Sequence, residues 1–156
     1  MIQAIFIAPE PKAQQHSVTQ IDVIAHQGII GDRNYEQHRW QGQNITLIEI
    51  EHINAFNQQY QQKIAIEDTR RNIITKGISL NELVGQEFSI GPVRLLGTER
   101  CEPCHTLSQQ LATDTVSAQH VLKAFTAKAG IRATLLTSGT ITVGMPVITV
   151  EPQAES

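Results

Sequence analysis

The sequence predicts a mainly β (α+β) fold: a closed or nearly closed β-barrel of short strands with two or three short helices. Three observations carry that expectation. The apolar runs are short and rich in isoleucine and valine, glycines punctuate the gaps between them, and strand–helix–strand alternation does not repeat along the chain. A doubly wound parallel sheet needs that repeat, so a sandwich or barrel is expected instead.

The first strand is read from Ile2 to Ala8 and runs into Pro9-Glu10-Pro11-Lys12. A second run, Val18 to Ala25, carries Val18, Ile21, Val23 and Ile24. Further strands are expected at Asn44–Ile48, Arg71–Thr75, Glu87–Ile90, Val93–Thr98, Ile131–Thr137 and Val147–Val150. Helical periodicity is rarer. Glu49 to Tyr60 places Ile50, Ile53, Phe56 and Tyr60 near a 3.6-residue period, and the following glutamines read as a polar helix end. Ser79-Leu80-Asn81-Glu82 has capping-box spacing and predicts one helical turn before Gly85. Ser117 to Lys128 sets Val121, Leu122 and Phe125 on one face, with Gly130 as its stop.

A length of 156 residues suits one domain, expected over residues 1–150 with a frayed tail at 151–156. Such a chain buries roughly 70% of its unfolded surface and needs no disulfide or zinc to fold. Hydrophobic residues make up 40% and charged residues 17%, as in globular proteins. Twelve basic residues against 15 acidic ones leave a net charge of −3, without the basic footprint of a general nucleic-acid binder. No apolar run is long enough to span a bilayer, and the N-terminus lacks the basic start of a signal peptide. A cytoplasmic location is expected. In that reducing compartment two cysteines read as thiols, metal ligands or redox groups rather than a structural disulfide.

The sharpest local feature is Arg100-Cys101-Glu102-Pro103-Cys104-His105. It admits four readings: a dithiol redox pair, half of a zinc site completed by His105 and His120, a single reactive or metal-binding thiolate, or two ordinary buried thiols. The surroundings favour the reactive thiol. Arg100 and His105 supply cations, and Pro103 fits the first turn of a helix running to Leu111, both of which lower a thiol pKa; Glu102 opposes them.

Gly28-Ile29-Ile30-Gly31-Asp32-Arg33 reads locally as a strand end and tight turn whose aspartate caps its own backbone. Residues 70–100 hold five basic residues (Arg70, Arg71, Lys76, Arg94, Arg100) against three acidic ones, a locally positive segment in an acidic chain. Guanidinium forks suit phosphate and other oxyanions, although such clusters are more often solvated faces. Arg132 lies inside an apolar strand and must point outward or meet an anion. Walker loops, dinucleotide-binding glycine fingerprints and nucleophile elbows do not occur in the sequence.

The order of these segments is more specific than any one of them. Gly28–Arg33, then Arg71-Asn72-Ile73-Ile74-Thr75-Lys76-Gly77-Ile78-Ser79-Leu80, Leu83-Val84-Gly85, Phe88–Gly91, Cys101-Glu102-Pro103-Cys104, Gly130–Ala133 and Gly139–Gly144 together resemble the MOSC family, the C-terminal domain of molybdenum-cofactor sulfurases. The resemblance runs from about Gly28 to Val150. It implies a MOSC-type barrel that binds the molybdenum cofactor (molybdopterin), with Cys104 as the reactive cysteine and metal ligand. It implies Asp32, Arg33, Arg71, Asn72, Thr75 and Arg132 as cofactor-binding residues. Some relatives reduce N-hydroxylated compounds, so a small-molecule substrate and an electron-donor protein are implied. The alternatives are a carrier holding a persulfide on Cys104, fed by a sulfur-donor protein, or a non-catalytic binding barrel. Neither nucleic acid nor membrane is an expected partner. One departure is Asn34, which stands where relatives often have histidine.

Overall fold

A computed structural model describes residues 1–11, 13–36, 44–101, 111–113 and 116–149. Among them the strands are β1 (Ile2–Ile7), β2 (His16–Val18), β3 (Gln20–Ile24), β4 (Gly28–Ile29), β5 (Ile45–Glu49), β6 (Ile73–Thr75), β7 (Glu87–Ile90), β8 (Val93–Arg100), β9 (Ile131–Leu135), β10 (Gly139–Thr142) and β11 (Val147–Thr149). Two α-helices, α1 (Ile50–Tyr60) and α2 (Ala118–Phe125), and two 3-10 turns, Ile66–Thr69 and Leu80–Leu83, join them.

Eight strands form one curled sheet in the order β11-β7-β8-β9-β5-β6-β1-β2, and β10-β3-β4 form a second. The expected mainly β fold is found, as a half-barrel that stops short of full closure. Two hydrogen bonds draw the β10–β11 turn onto β1: Ile2 N donates to the Met145 carbonyl and Gly144 N to that of Ile2, each at 2.8 Å. All strand pairs but one are antiparallel. The parallel pair is β5–β6, joined over α1 as a single crossover.

Strands β1, β5 and β6 explain why the sequence there reads as continuous apolar runs. Ile5, Leu47 and Ile73 face the inside of the curl, with Phe88, Leu95 and Ile131. Their neighbours Phe6, Ile48 and Ile74 face the other way, into a layer with Ile53, Phe56, Val121 and Phe125 of the helices. A strand covered on both faces has no polar alternation to keep. The Phe56 and Phe125 rings, 5.0 Å apart, join α1 to α2. Peripheral β7 keeps the alternation, burying Phe88 and Ile90 and half-exposing Glu87 and Ser89.

Several boundaries differ from expectation. The run Val18–Ala25 is split at Thr19 because His16–Val18 pairs with β1 while Gln20–Ile24 pairs with β4 and β10 in the other sheet. The strand expected from Arg71 starts at Ile73, since Arg70 is left-handed (φ 60) and the Asn72 N–H is taken by the Thr46 hydroxyl. Ser79 makes no side-chain cap bond, and the turn after it is 3-10. Gly28–Ile29 and Gly139–Thr142 form strands although they carry few apolar residues, because each finds a partner on β3. The helix expected from Pro103 falls outside the described residues apart from Leu111, which is helical and buried.

Candidate functional site

The Asp32–Arg33 corner is built by glycine. Gly28 (φ 122) opens β4 and Gly31 (φ 90) shapes the bend that follows it. Asp32, with its side chain 1% exposed, is consumed by that corner. Its Oδ1 accepts from Ala8 N at 3.1 Å, its Oδ2 from Asn34 N at 3.2 Å, and Arg33 Nη1 lies 3.4 Å from Oδ1. Arg33 N in turn donates to the Ala8 carbonyl at 2.7 Å, so the corner is pinned to the end of β1.

Arg33 points from this corner toward the chain entering β6. Its Nη2 donates to the Arg70 carbonyl at 3.1 Å, and its side chain is 11% exposed. Burial holds its guanidinium below the ordinary arginine value; Asp32 works against this, and repulsion from Arg70 and Arg71 adds to it. Three guanidinium groups therefore share a half-buried region. Asp32 supplies the carboxylate charge that offsets part of this repulsion.

Arg70 follows the Ile66–Thr69 turn in a left-handed conformation that costs a non-glycine residue roughly 1 kcal/mol. Both its terminal nitrogens are engaged: Nη1 donates to the Ala13 carbonyl at 2.7 Å and Nη2 to that of Pro11 at 2.9 Å. Arg71 is held differently. Its Nε donates to the Ala129 carbonyl at 2.9 Å, and its two terminal nitrogens donate no hydrogen bond among the described residues. Beside Ala129, Gly130 (φ 93) lies so close to β5 that a Cβ would stand 1.9 Å from the Leu47 carbonyl oxygen. The Gly130 carbonyl accepts from Cys101 N at 2.8 Å. One short segment thus links Arg71 to the end of β8, where the Cys-x-x-Cys stretch begins.

Asn72 is 1% exposed and works inside the fold. Its Oδ1 accepts from Thr46 N (3.2 Å) and Thr46 Oγ1 (3.1 Å), and its Nδ2 donates to the Phe6 carbonyl at 3.3 Å. Thr46 sits opposite Arg132, and Arg132 opposite Glu99, so a row across β5, β9 and β8 is continued by Asn72, the residue just before β6. Arg132 Nη1 pairs with Glu99 Oε1 at 3.0 Å, half-exposed. Thr75 lies away from the row: three residues further along the strand is about 10 Å. It is fully buried, and its Oγ1 donates to the Ile48 carbonyl at 3.4 Å.

The fold therefore gathers Asp32, Arg33, Arg71 and Asn72 around the entry to β6, sets Arg132 two strands away, and leaves Thr75 in the interior. Cys101 is 1% exposed in the layer under the helices. Cys104 and His105 lie outside the described residues. Among the described residues no three His, Cys, Asp or Glu side chains are grouped to hold a metal ion. Two contributors escaped the site expected from sequence. Arg70 was visible only as a member of a basic cluster. Gln15, 5% exposed, gave no signal at all. With its amide turned to satisfy both ends, its nitrogen donates to the Glu67 carbonyl (3.1 Å) and its oxygen accepts from Arg33 Nη1 (3.2 Å).

A family model described as the MOSC domain matches residues 34–148. The chain is similar in fold to the YuaD protein from Bacillus subtilis, with a TM-score of 0.80 and 17% identity over 94% of this chain and 92% of that one. It is similar to YiiM from Geobacillus stearothermophilus, with a TM-score of 0.72 and 18% identity over 99% of this chain and 76% of that one. For YiiM from Escherichia coli the TM-score is 0.68 and the identity 16%, over 99% of this chain and 73% of that one. No curated protein matches the chain.

Proposed function

Because the chain belongs to the MOSC domain family, whose members in general bind a molybdenum cofactor, we propose that the cluster around Arg33, Arg70 and Arg71 receives the anionic phosphate of molybdopterin. The observation that carries this reading is Arg71: a guanidinium anchored through Nε, beside two more guanidiniums and one carboxylate, with its terminal fork unengaged among the described residues. A half-buried cluster with excess positive charge favours an anion, and a planar fork matches phosphate oxygens. The donor set fits the group. Asp32 and Asn72 serve it by position, fixing Arg33 and the entry to β6.

Cys104 is the metal ligand in this proposal. It follows Cys101 by three residues, which span at most about 10 Å, and Cys101 is anchored beside the Ala129–Gly130 segment that holds Arg71. A cysteine thiolate is a soft ligand of the kind that suits a thiophilic metal. When bound, the cofactor would supply the metal centre for reducing an N-hydroxylated substrate. That reaction breaks the N–O bond, consumes two electrons from a partner donor protein and two protons, and releases water. Arg132, paired with Glu99 on the same row, is a further cofactor-binding residue in this proposal.

Molybdenum and pterin content, measured on protein purified from a host that makes the cofactor, tests this. The parent is expected to carry both, Arg71→Ala to lose pterin by at least about tenfold, and Cys104→Ala to lose molybdenum. A Cys104→Ala variant with parental molybdenum overturns the ligand assignment. A mass gain of one sulfur on Cys104 in metal-free protein would support the persulfide carrier instead.

A further inference from the structure

The cation cluster is also the fastening point of the β1–β2 connection. Arg70 Nη1 and Nη2 fork onto the carbonyls of Ala13 and Pro11. Gln15 bridges Arg33 to the Glu67 carbonyl, and the Ala8 amide and carbonyl are held by Asp32 Oδ1 and Arg33 N. The connection is thus pinned at both ends by the Asp32–Arg33 corner and in the middle by Arg70. The two guanidiniums that hold it repel each other, since Arg70 acts on Arg33.

We propose that Arg70 is a positioning residue that couples anion binding to the ordering of this strap: an oxyanion on Arg71 and Arg33 relieves the repulsion within the cluster and tightens the grip of Arg70 on Pro11 and Ala13. The inference rests on the oxyanion reading of the cluster given above and adds its regulation. Coupling is reciprocal, so a loosened strap weakens the anion by the factor by which the anion protects the strap. The Ala13 amide, which donates to the Glu10 carbonyl at 3.0 Å, is a reporter inside the strap.

Inorganic phosphate is the probe. Its affinity is measured by calorimetry, and residue-resolved hydrogen exchange of Ala13 is followed with and without it. Saturating phosphate is expected to slow Ala13 exchange at least about threefold in the parent. Arg70→Lys keeps the charge but cannot fork to two carbonyls. It is expected to show no added protection at Ala13 and to bind phosphate more weakly by about the factor of protection lost, threefold or more. Arg71→Gln is expected to weaken phosphate tenfold or more and, because losing its charge relieves part of the same repulsion, to slow Ala13 exchange without phosphate, which also reports that the fold is intact. Phosphate binding with unchanged Ala13 exchange in the parent overturns the coupling and leaves the oxyanion reading standing. Absence of phosphate binding overturns both.

Discussion

Asn72 shows how a residue can stand in a cofactor-like motif and still be occupied by the fold. Its amide joins β6, β5 and β1 through Thr46 and the Phe6 carbonyl. Asn72→Leu would leave the Thr46 amide and the Phe6 carbonyl without this partner in a buried site, and is expected to cost about 2–3 kcal/mol in denaturant unfolding. Glu49 makes a second case. Burial pushes its carboxyl above the ordinary value, against the lowering effects of His52 and the Leu80 amide, with Glu51 adding to the rise. His52 Nδ1 lies 3.6 Å away, too far for a hydrogen bond. A folded value above the unfolded one means that the stability tied to the protonated form is complete below about pH 4.3 and is lost as pH rises through the folded value. Glu49→Gln carries no charge, so its stability relative to the parent is expected to rise between pH 4 and pH 7. A difference that stays constant with pH would refute this. The charged character of Arg70 and Arg71 was plain in the sequence, but their roles were not. Which guanidinium is tied to carbonyls and which presents a fork depends on Pro11, Ala13 and Ala129, far away along the chain.

At the level of elements, helix α1 and strands β5, β7 and β8 were legible because period and punctuation agree with the packing that the elements meet. The Ser117 hydroxyl, outside the helix as its N-cap, accepts from His120 N at 3.3 Å, and Ser117→Ala is expected to cost about 1 kcal/mol. Strands β4 and β10 were less legible because a two- or four-residue strand is defined by its partner on β3 rather than by its own composition. Gly130 belongs to this scale too. It was read as a helix stop, but α2 ends earlier, at Phe125 with Thr126 as its C-cap, and the constraint on Gly130 is its approach to Leu47. Gly130→Ala places a Cβ into that carbonyl at a positive φ and is expected to destabilise by at least ~2 kcal/mol, measured by urea unfolding.

Across the whole molecule, β1, β5 and β6 supply side chains to both apolar layers, so neither layer can unfold while the other stays intact. We therefore propose that residues 1–150 form one cooperative domain, and far- and near-UV circular dichroism are expected to report a single coincident transition. An acidic chain with an internal cationic cluster also predicts an ion-specific effect. Phosphate at ten times its dissociation constant should stabilise by about 1.4 kcal/mol, raising Tm by roughly 3–5 °C, whereas chloride at equal ionic strength should not. No helix among the described residues is long and apolar enough to cross a membrane.

Pattern alone was enough for the strand-rich class, the two long helical periods and the family, because these depend on the spacing and order of residues within one stretch of chain. The site needed the folded chain. Arg33, Arg70 and Arg71 become one cluster only when the end of β1, the corner after β4 and the entry to β6 are drawn together by the Asp32 and Asn72 hydrogen bonds. Electrostatic repulsion and hydrogen bonding act through space over a few ångströms, and linear order does not encode which distant carbonyl or carboxylate will stand within that reach.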